Sequence, residues 1–182
     1  KDKISSDISI VEFRDNEDFG MIDIFNFDKS FETGKIFKEK FLGKQFQSKI
    51  EKILLKQIVI ENFNIYYNKG VTATRGYHID SFTDNRYKVF IYLTNCEDYE
   101  SGPFSYVLGS HKKNYYKTIN KIYNKIFRKK STDMKFYDTS QATPILGKIG
   151  TLFISNQTGM HRGFPQSDGV DRLVGVLNFK IK

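Results

Sequence analysis

The sequence predicts a mainly β protein, with a jelly roll as the leading architecture. Three observations carry this. Short runs rich in β-branched and aromatic residues recur along the chain, and they tally to roughly eight strands. Aromatic content is 15%, with 17 Phe and 11 Tyr but no Trp, which suits half-buried pleated surfaces. Only two segments change to helical spacing. So many strands in 182 residues leave edges to protect, and closed barrels or double-sheet jelly rolls are the usual solution.

Taken in order, Phe19 to Phe27 alternates well enough for a strand. Within residues 35–55, Phe37, Phe41, Phe46, Ile50, Ile53 and Leu54 recur loosely at helical intervals, so a helix is expected over part of this stretch. Ile58 to Tyr67 reads as a strand, Asn68-Lys69-Gly70 as a turn, and Val71 to Asp80 as a further strand. Tyr87 to Thr94 is a buried strand in pattern. Gly102-Pro103 breaks the chain before the strand Phe104 to Leu108. Residues 113–130 return to helical spacing. Tyr115, Tyr116, Ile119, Ile122, Tyr123, Ile126 and Phe127 form an apolar stripe with lysines opposite. Gly150 to Ser155 and Arg172 to Ile181 are the closing strands. No repeat or linker divides the chain, so residues 1–182 are read as one domain. Residues 1–57 form an N-terminal flanking segment, and 58–182 form the jelly-roll core with a helical insertion at about 111–144.

The formal net charge is +8. Lysine, asparagine and isoleucine are abundant together, as AT-rich codon use alone would produce, so the basic balance does not by itself call for nucleic acid. Cys96 is the single cysteine and cannot form an internal disulfide. No apolar run approaches the ~20 residues of a membrane span, and no signal-peptide pattern is visible. A cytoplasmic protein is expected, with its oligomeric state left open.

The chemistry-bearing residues begin with His78-Ile79-Asp80. Side chains two apart on a strand share a face, so His78 and Asp80 can reach one ion. A third ligand, His161, would complete a two-His, one-carboxylate facial triad, which leaves coordination positions open for substrate and oxygen. If the strands Gly150–Ser155 and Arg172–Ile181 form a hairpin, His161 and Arg172 are neighbours about 5 Å apart. A guanidinium beside an open metal can grip the distal carboxylate of a dicarboxylate cosubstrate. A surface arginine paired with Asp168 or Asp171 is the alternative for Arg172.

GYHID, YKVFIYLT, ESGPFSYVLGSHK, GTLFIS, MHRG and Arg172, eleven residues after His161, stand in the order found in one family. The sequence resembles the phytanoyl-CoA dioxygenase family of Fe(II)- and 2-oxoglutarate-dependent oxygenases over about residues 58–182. The resemblance implies a cupin-like double-stranded β-helix with flanking helices. It places His78, Asp80 and His161 on the metal positions and Arg172 on the cosubstrate arginine. It implies Fe(II), 2-oxoglutarate and O2, with ascorbate as a fitting reductant. It puts His111 in a turn away from the metal. Tyr77 stands where the family often has Trp, Leu108 where it has Pro, and Gly163 where it commonly has a Ser that helps bind the cosubstrate carboxylate. An Asp at position 80 argues for hydroxylation and against halogenation.

Two further residues are candidates. Tyr66 could offer a hydroxyl to the cosubstrate, although a packed core tyrosine is the simpler reading. Arg75 could meet an anionic substrate at the pocket mouth, with a solvated strand arginine as the alternative. The amphipathic insertion could act as a lid, and its lysines could attract phosphate, coenzyme A or nucleic acid, or simply be solvated. The expected activity is hydroxylation of a small molecule with release of succinate and CO2. The same chemistry on a protein or nucleic acid, and a non-redox metal- or ligand-binding jelly roll, are the other readings.

Overall fold

The structure, a computed structural model, describes residues 8–14, 20–112, 115–129 and 132–182. In chain order the elements are β1 (Ile10–Phe13), β2 (Met21–Phe25), α1 (Phe27–Ser30), α2 (Glu32–Phe41), α3 (Lys44–Leu54), β3 (Ile58–Lys69), β4 (Arg86–Tyr92), β5 (Phe104–Val107), α4 (Tyr115–Ile126), β6 (Ala142–Ile145), β7 (Leu152–Asn156), β8 (His161–Gly163) and β9 (Asp171–Ile181). Two antiparallel sheets form: a six-stranded one in the order β1-β2-β3-β9-β4-β7 and a three-stranded one in the order β6-β5-β8. The double-sheet, mainly β architecture is the one expected.

Strand alternation sorts the large sheet into two faces. On the outer face, Phe63, Ile65, Val89, Ile91, Leu177 and Phe179 are buried in one cluster with Leu42 and Ile50 of the helical segment. Phe37 of α2 lies parallel to Phe63, ring centroids 5.0 Å apart. The inner face presents Phe90, Tyr92, Val174 and Val176 to Phe104 of the small sheet, with Cys96 packed among them. Register carries this parity along the sheet: Asn68 lies opposite Arg172, Tyr66 opposite Val174, and Phe90 opposite Val176. Arg172, Tyr66 and Lys88 therefore share the inner face.

Several expectations need correction. The helix over 35–55 is two helices, α2 and α3, broken at Leu42-Gly43. Val71 to Asp80 is not a strand. Gly70, at φ +55°, turns the chain away from the sheet, and only a short piece near His78 is paired further on. The strands β7 and β9 are not a hairpin, because β4 lies between them. The expected first strand shortens to β2, and the insertion helix to α4; Phe19 and residues 113, 114 and 130 of those expectations lie outside the described residues. The strands β1, β6 and β8 were not anticipated. They are three or four residues long, too short to show a period.

The apolar stripe of α4 is also placed contrary to the usual rule. Asn120 and Asn124 are the buried residues of this helix, while Tyr115, Ile119, Ile122 and Ile126 are exposed. The asparagines serve the irregular chain beneath. Asn120 Oδ1 accepts from the Lys135 and Phe136 amides at 2.6 and 3.0 Å, and Asn124 Nδ2 donates to the Asp133 carbonyl at 2.7 Å. Among the described residues, no helix is long and apolar enough to cross a membrane.

Phe63 is 1% exposed and holds the helices on the outer face. Phe63→Ala is expected to lower the free energy of unfolding by about 3–5 kcal/mol in a urea titration. Ile53→Ala, at a site 68% exposed, is expected to leave it nearly unchanged.

Candidate metal centre and its cavity

The site is assembled by backbone pairing. His78 and His161 lie directly opposite each other and exchange both amide–carbonyl hydrogen bonds, at 3.1 and 2.9 Å. This is the hydrogen-bonded antiparallel pair, which fixes the two Cα atoms side by side. On the other side of His78, the Ile79 amide donates to the Thr132 carbonyl and the Met134 amide to the Tyr77 carbonyl, at 3.0 and 2.9 Å. The Asp80 amide donates to the Gln157 carbonyl at 3.0 Å. His161 opens β8, whose other edge pairs with Tyr106 of β5. Its ring stacks on Phe104, centroids 5.2 Å apart.

The ring nitrogens are oriented by the same loops. His78 Nδ1 is 2.9 Å from the Gly76 carbonyl, and His161 Nδ1 is 2.9 Å from the Gly159 carbonyl. A carbonyl only accepts, so each Nδ1 must carry the proton. That leaves each Nε2 lone pair free to ligate, the arrangement metal-binding histidines usually have. Both Nε2 atoms approach the Asp80 carboxylate, at 3.6 Å for His78 and 3.5 Å for His161. One donor atom from each of the three residues lies within 4.8 Å of the others, the spacing of a single-ion site. Burial and the neighbouring His161 push the His78 imidazole down to about 3, so it is neutral at physiological pH.

Sequence reasoning missed Lys88. Its Nζ donates to Asp80 Oδ2 at 2.6 Å. Burial opposes the charge on both partners. Even so, the Lys88 ammonium holds the Asp80 carboxyl well below the usual carboxylate range, and Lys88 itself is raised. A signal for it existed: Lys88 is two residues before Phe90, hence on the same inner face. Arg14 and Asp23 were missed as well. The Arg14 guanidinium pairs with the Asp23 carboxylate, which is 1% exposed, and both line the cavity.

That cavity has a volume of about 230 Å³ and lies between the two sheets. His78, Asp80, His161, Arg172, Tyr66 and Arg75 all line it, so the structure brings together every site residue expected from sequence. Arg172 does reach the site, but not as a hairpin neighbour of His161. It comes from the large sheet and faces β8 across the cavity. A Cβ placed on Gly163 would sit 3.2 Å from its Nη2. Arg172 is 7% exposed, which rules out the surface-cation reading. Arg75 has a structural engagement: its Nε donates to Asp133 Oδ1 and its Nη2 to Thr132 Oγ1, both at 2.8 Å. It ties the insertion to the site. His111 lies in a turn outside the three-residue cluster.

No protein-family model matches the chain, and no curated protein does. Solved structures share the fold. HygX from Streptomyces hygroscopicus, with nickel, 2-oxoglutarate and hygromycin B bound, matches with a TM-score of 0.61 at 14% identity, over 88% of this chain and 70% of its own. The non-heme alpha ketoglutarate dependent epimerase SnoN from nogalamycin biosynthesis matches with a TM-score of 0.69 at 11% identity, over 95% of this chain and 67% of its own. AviO1 from Streptomyces viridochromogenes matches with a TM-score of 0.63 at 11% identity, over 98% of this chain and 74% of its own. At these identities the likeness establishes the jelly-roll fold.

The Lys88–Asp80 pair is testable on the metal-free chain. Its side chains are 18% and 30% exposed. Asp80→Ala strands a largely buried ammonium and is expected to cost about 1–3 kcal/mol of stability. Adding Lys88→Met should recover most of that loss in the same urea titration. A double variant as weak as the single one would show that the pair is not what Asp80 stabilises.

Proposed function

We propose that this chain is an Fe(II)- and 2-oxoglutarate-dependent oxygenase that hydroxylates a small molecule. The observation that carries the reading is the convergence of His78 Nε2, His161 Nε2 and the Asp80 carboxylate beside a cavity that also holds Arg172. Two imidazoles and one carboxylate are the donor set of non-haem iron oxygenases. Two of the structures that share the fold hold 2-oxoglutarate or alpha ketoglutarate with nickel or Fe3+. The order of motifs over residues 58–182 supports placing the chain near the phytanoyl-CoA dioxygenase family.

In this reading His78, Asp80 and His161 would hold the metal. When bound, Fe(II) with 2-oxoglutarate and O2 supplies the oxidising power, and the cosubstrate leaves as succinate and CO2. Arg172, from β9, grips the distal carboxylate of the cosubstrate through its planar fork. With Gly163 in place of a hydroxyl-bearing residue, Arg172 does more of that work alone. Tyr66 is on the same inner face, and its hydroxyl is a second candidate contact for the cosubstrate. Lys88 holds one oxygen of Asp80, which favours ligation through the other. Phe90 and Phe104 supply apolar surface to a cavity otherwise lined mostly by polar and charged side chains. Arg75, at the same wall, is the candidate contact for an anionic substrate, which would have to share its guanidinium with Asp133.

HygX is bound to hygromycin B and SnoN to nogalamycin RO, both small molecules, which supports a small-molecule substrate here. SnoN is an epimerase, so abstraction of hydrogen without oxygen transfer is the second reading. A product that gains one oxygen atom separates hydroxylation from epimerisation.

The test is an anaerobic titration of the chain with Fe(II) and 2-oxoglutarate. Wild type should develop the weak visible charge-transfer band of a 2-oxo acid chelated to iron. His161→Ala should abolish the band. Arg172→Leu should keep it but need roughly a hundredfold more cosubstrate, the loss of about 2–3 kcal/mol expected when a charge-assisted bidentate contact is removed. A folded, iron-loaded wild type without the band would overturn the assignment.

A further inference from the structure

The insertion carries an unusual charge distribution. Residues 111–132 contain eight Lys and Arg and no Asp or Glu, so this one segment accounts for the chain's whole formal net charge of +8. The rest of the chain balances to zero. At its centre is α4, twelve residues and about 18 Å long. Tyr115, Ile119, Ile122 and Ile126 recur at intervals of four, three and four, one straight stripe on a helix. Ile122 is 56% exposed and Ile126 68% exposed, and Phe127 beyond the helix end is exposed too. The opposite side is fastened to the protein by Asn120 and Asn124. The stripe therefore points outward because polar residues anchor the helix. Lys121 and Lys125 run alongside it and are exposed.

We propose that this face docks on an anionic lipid bilayer. An amphipathic helix with a basic polar side and an apolar ridge is the arrangement that lies in a membrane interface, isoleucines in the acyl boundary and lysines at the headgroups. The two features select between acidic partners. Nucleic acid would use the lysines and leave the isoleucine stripe wet. A second copy of the chain would use the stripe but bring a like-charged segment against this one. A bilayer of acidic lipids uses both, and each lysine near its surface adds to the attraction. Asn124 and Asn120 connect α4 to residues 133–136, and Asp133 is clamped to Arg75 of the cavity wall, so docking would bring the cavity wall near the lipid surface. The inference does not depend on the identity of the metal or cosubstrate.

Co-sedimentation with vesicles tests it. The full chain is mixed with phosphatidylcholine vesicles, with and without roughly 30 mol% phosphatidylglycerol. Wild type should pellet with the anionic vesicles only. The pair Ile122→Asp and Ile126→Asp should lose about tenfold or more of the partition. The pair Lys121→Glu and Lys125→Glu should lose it comparably, and both pairs should keep the wild-type circular dichroism. Absence of wild-type binding to anionic vesicles overturns the proposal, whatever the variants do. Undiminished binding by the isoleucine pair also overturns it. So does a wild-type dimer, seen by light scattering, that the isoleucine pair turns into monomer, and so does salt-sensitive binding to single-stranded DNA in place of vesicles.

Discussion

The reciprocal backbone hydrogen bonds between His78 and His161 are the constraint on which the candidate site depends. They join an irregular segment after β3 to the first residue of β8 and set two imidazoles side by side. Everything else in the site is arranged around this pair. The sheets supply Arg172, Lys88 and Tyr66 from one side and Phe104 from the other. The turn carbonyls of Gly76 and Gly159 aim the histidines. The insertion adds a second support, since residues 132–134 pair along the far side of His78. A fold with edges to hide has placed one short, otherwise unpaired piece of chain where two partners can hold it.

Charge at the cavity is handled by pairing. Asp80 meets Lys88, Asp23 meets Arg14, and Asp133 meets Arg75. Asp23, at 1% exposed, would be costly to leave alone, and burial pushes its carboxyl up even with its guanidinium partner. The Asp80–Lys88 pair keeps the carboxylate ionised and ready as a ligand. The cost of the arrangement is that a cation stands close to where a second cation would bind.

How much of this was legible in the sequence follows from the range of the interactions. Period-two alternation placed β3, β4 and β9 well, because each is long and faces apolar neighbours on both sides. The same alternation sets Arg172 on the face of Val174 and Val176, a signal the hairpin argument did not use. His78-x-Asp80 was readable as a pair because two-residue spacing is local. The partnership of His78 with His161 crosses 83 residues and had no local signature; the ordered family motifs suggested it. The hairpin argument reached the right neighbourhood for Arg172 by a wrong route, since β4 separates β7 from β9. The α4 stripe shows the opposite failure. Its helical period was correct, but the face that packs is chosen by Asn120 and Asn124, which serve backbone groups of a distant, irregular segment. Hydrophobic pattern says which residues share a face, and only tertiary hydrogen bonding says which face turns inward.

The central claim is that these three side chains form one metal site, with a common ion between two histidines and a carboxylate. The most direct measurement is a crystal of the chain soaked with Mn(II), with diffraction collected for anomalous scattering. The account predicts one strong anomalous peak about 2.0–2.3 Å from His78 Nε2, His161 Nε2 and an oxygen of Asp80. It also predicts that Lys88 remains on the other carboxylate oxygen. A peak elsewhere, or none while Lys88 and the histidines stay packed on Asp80, would contradict it and make the cluster a structural ion-pair network.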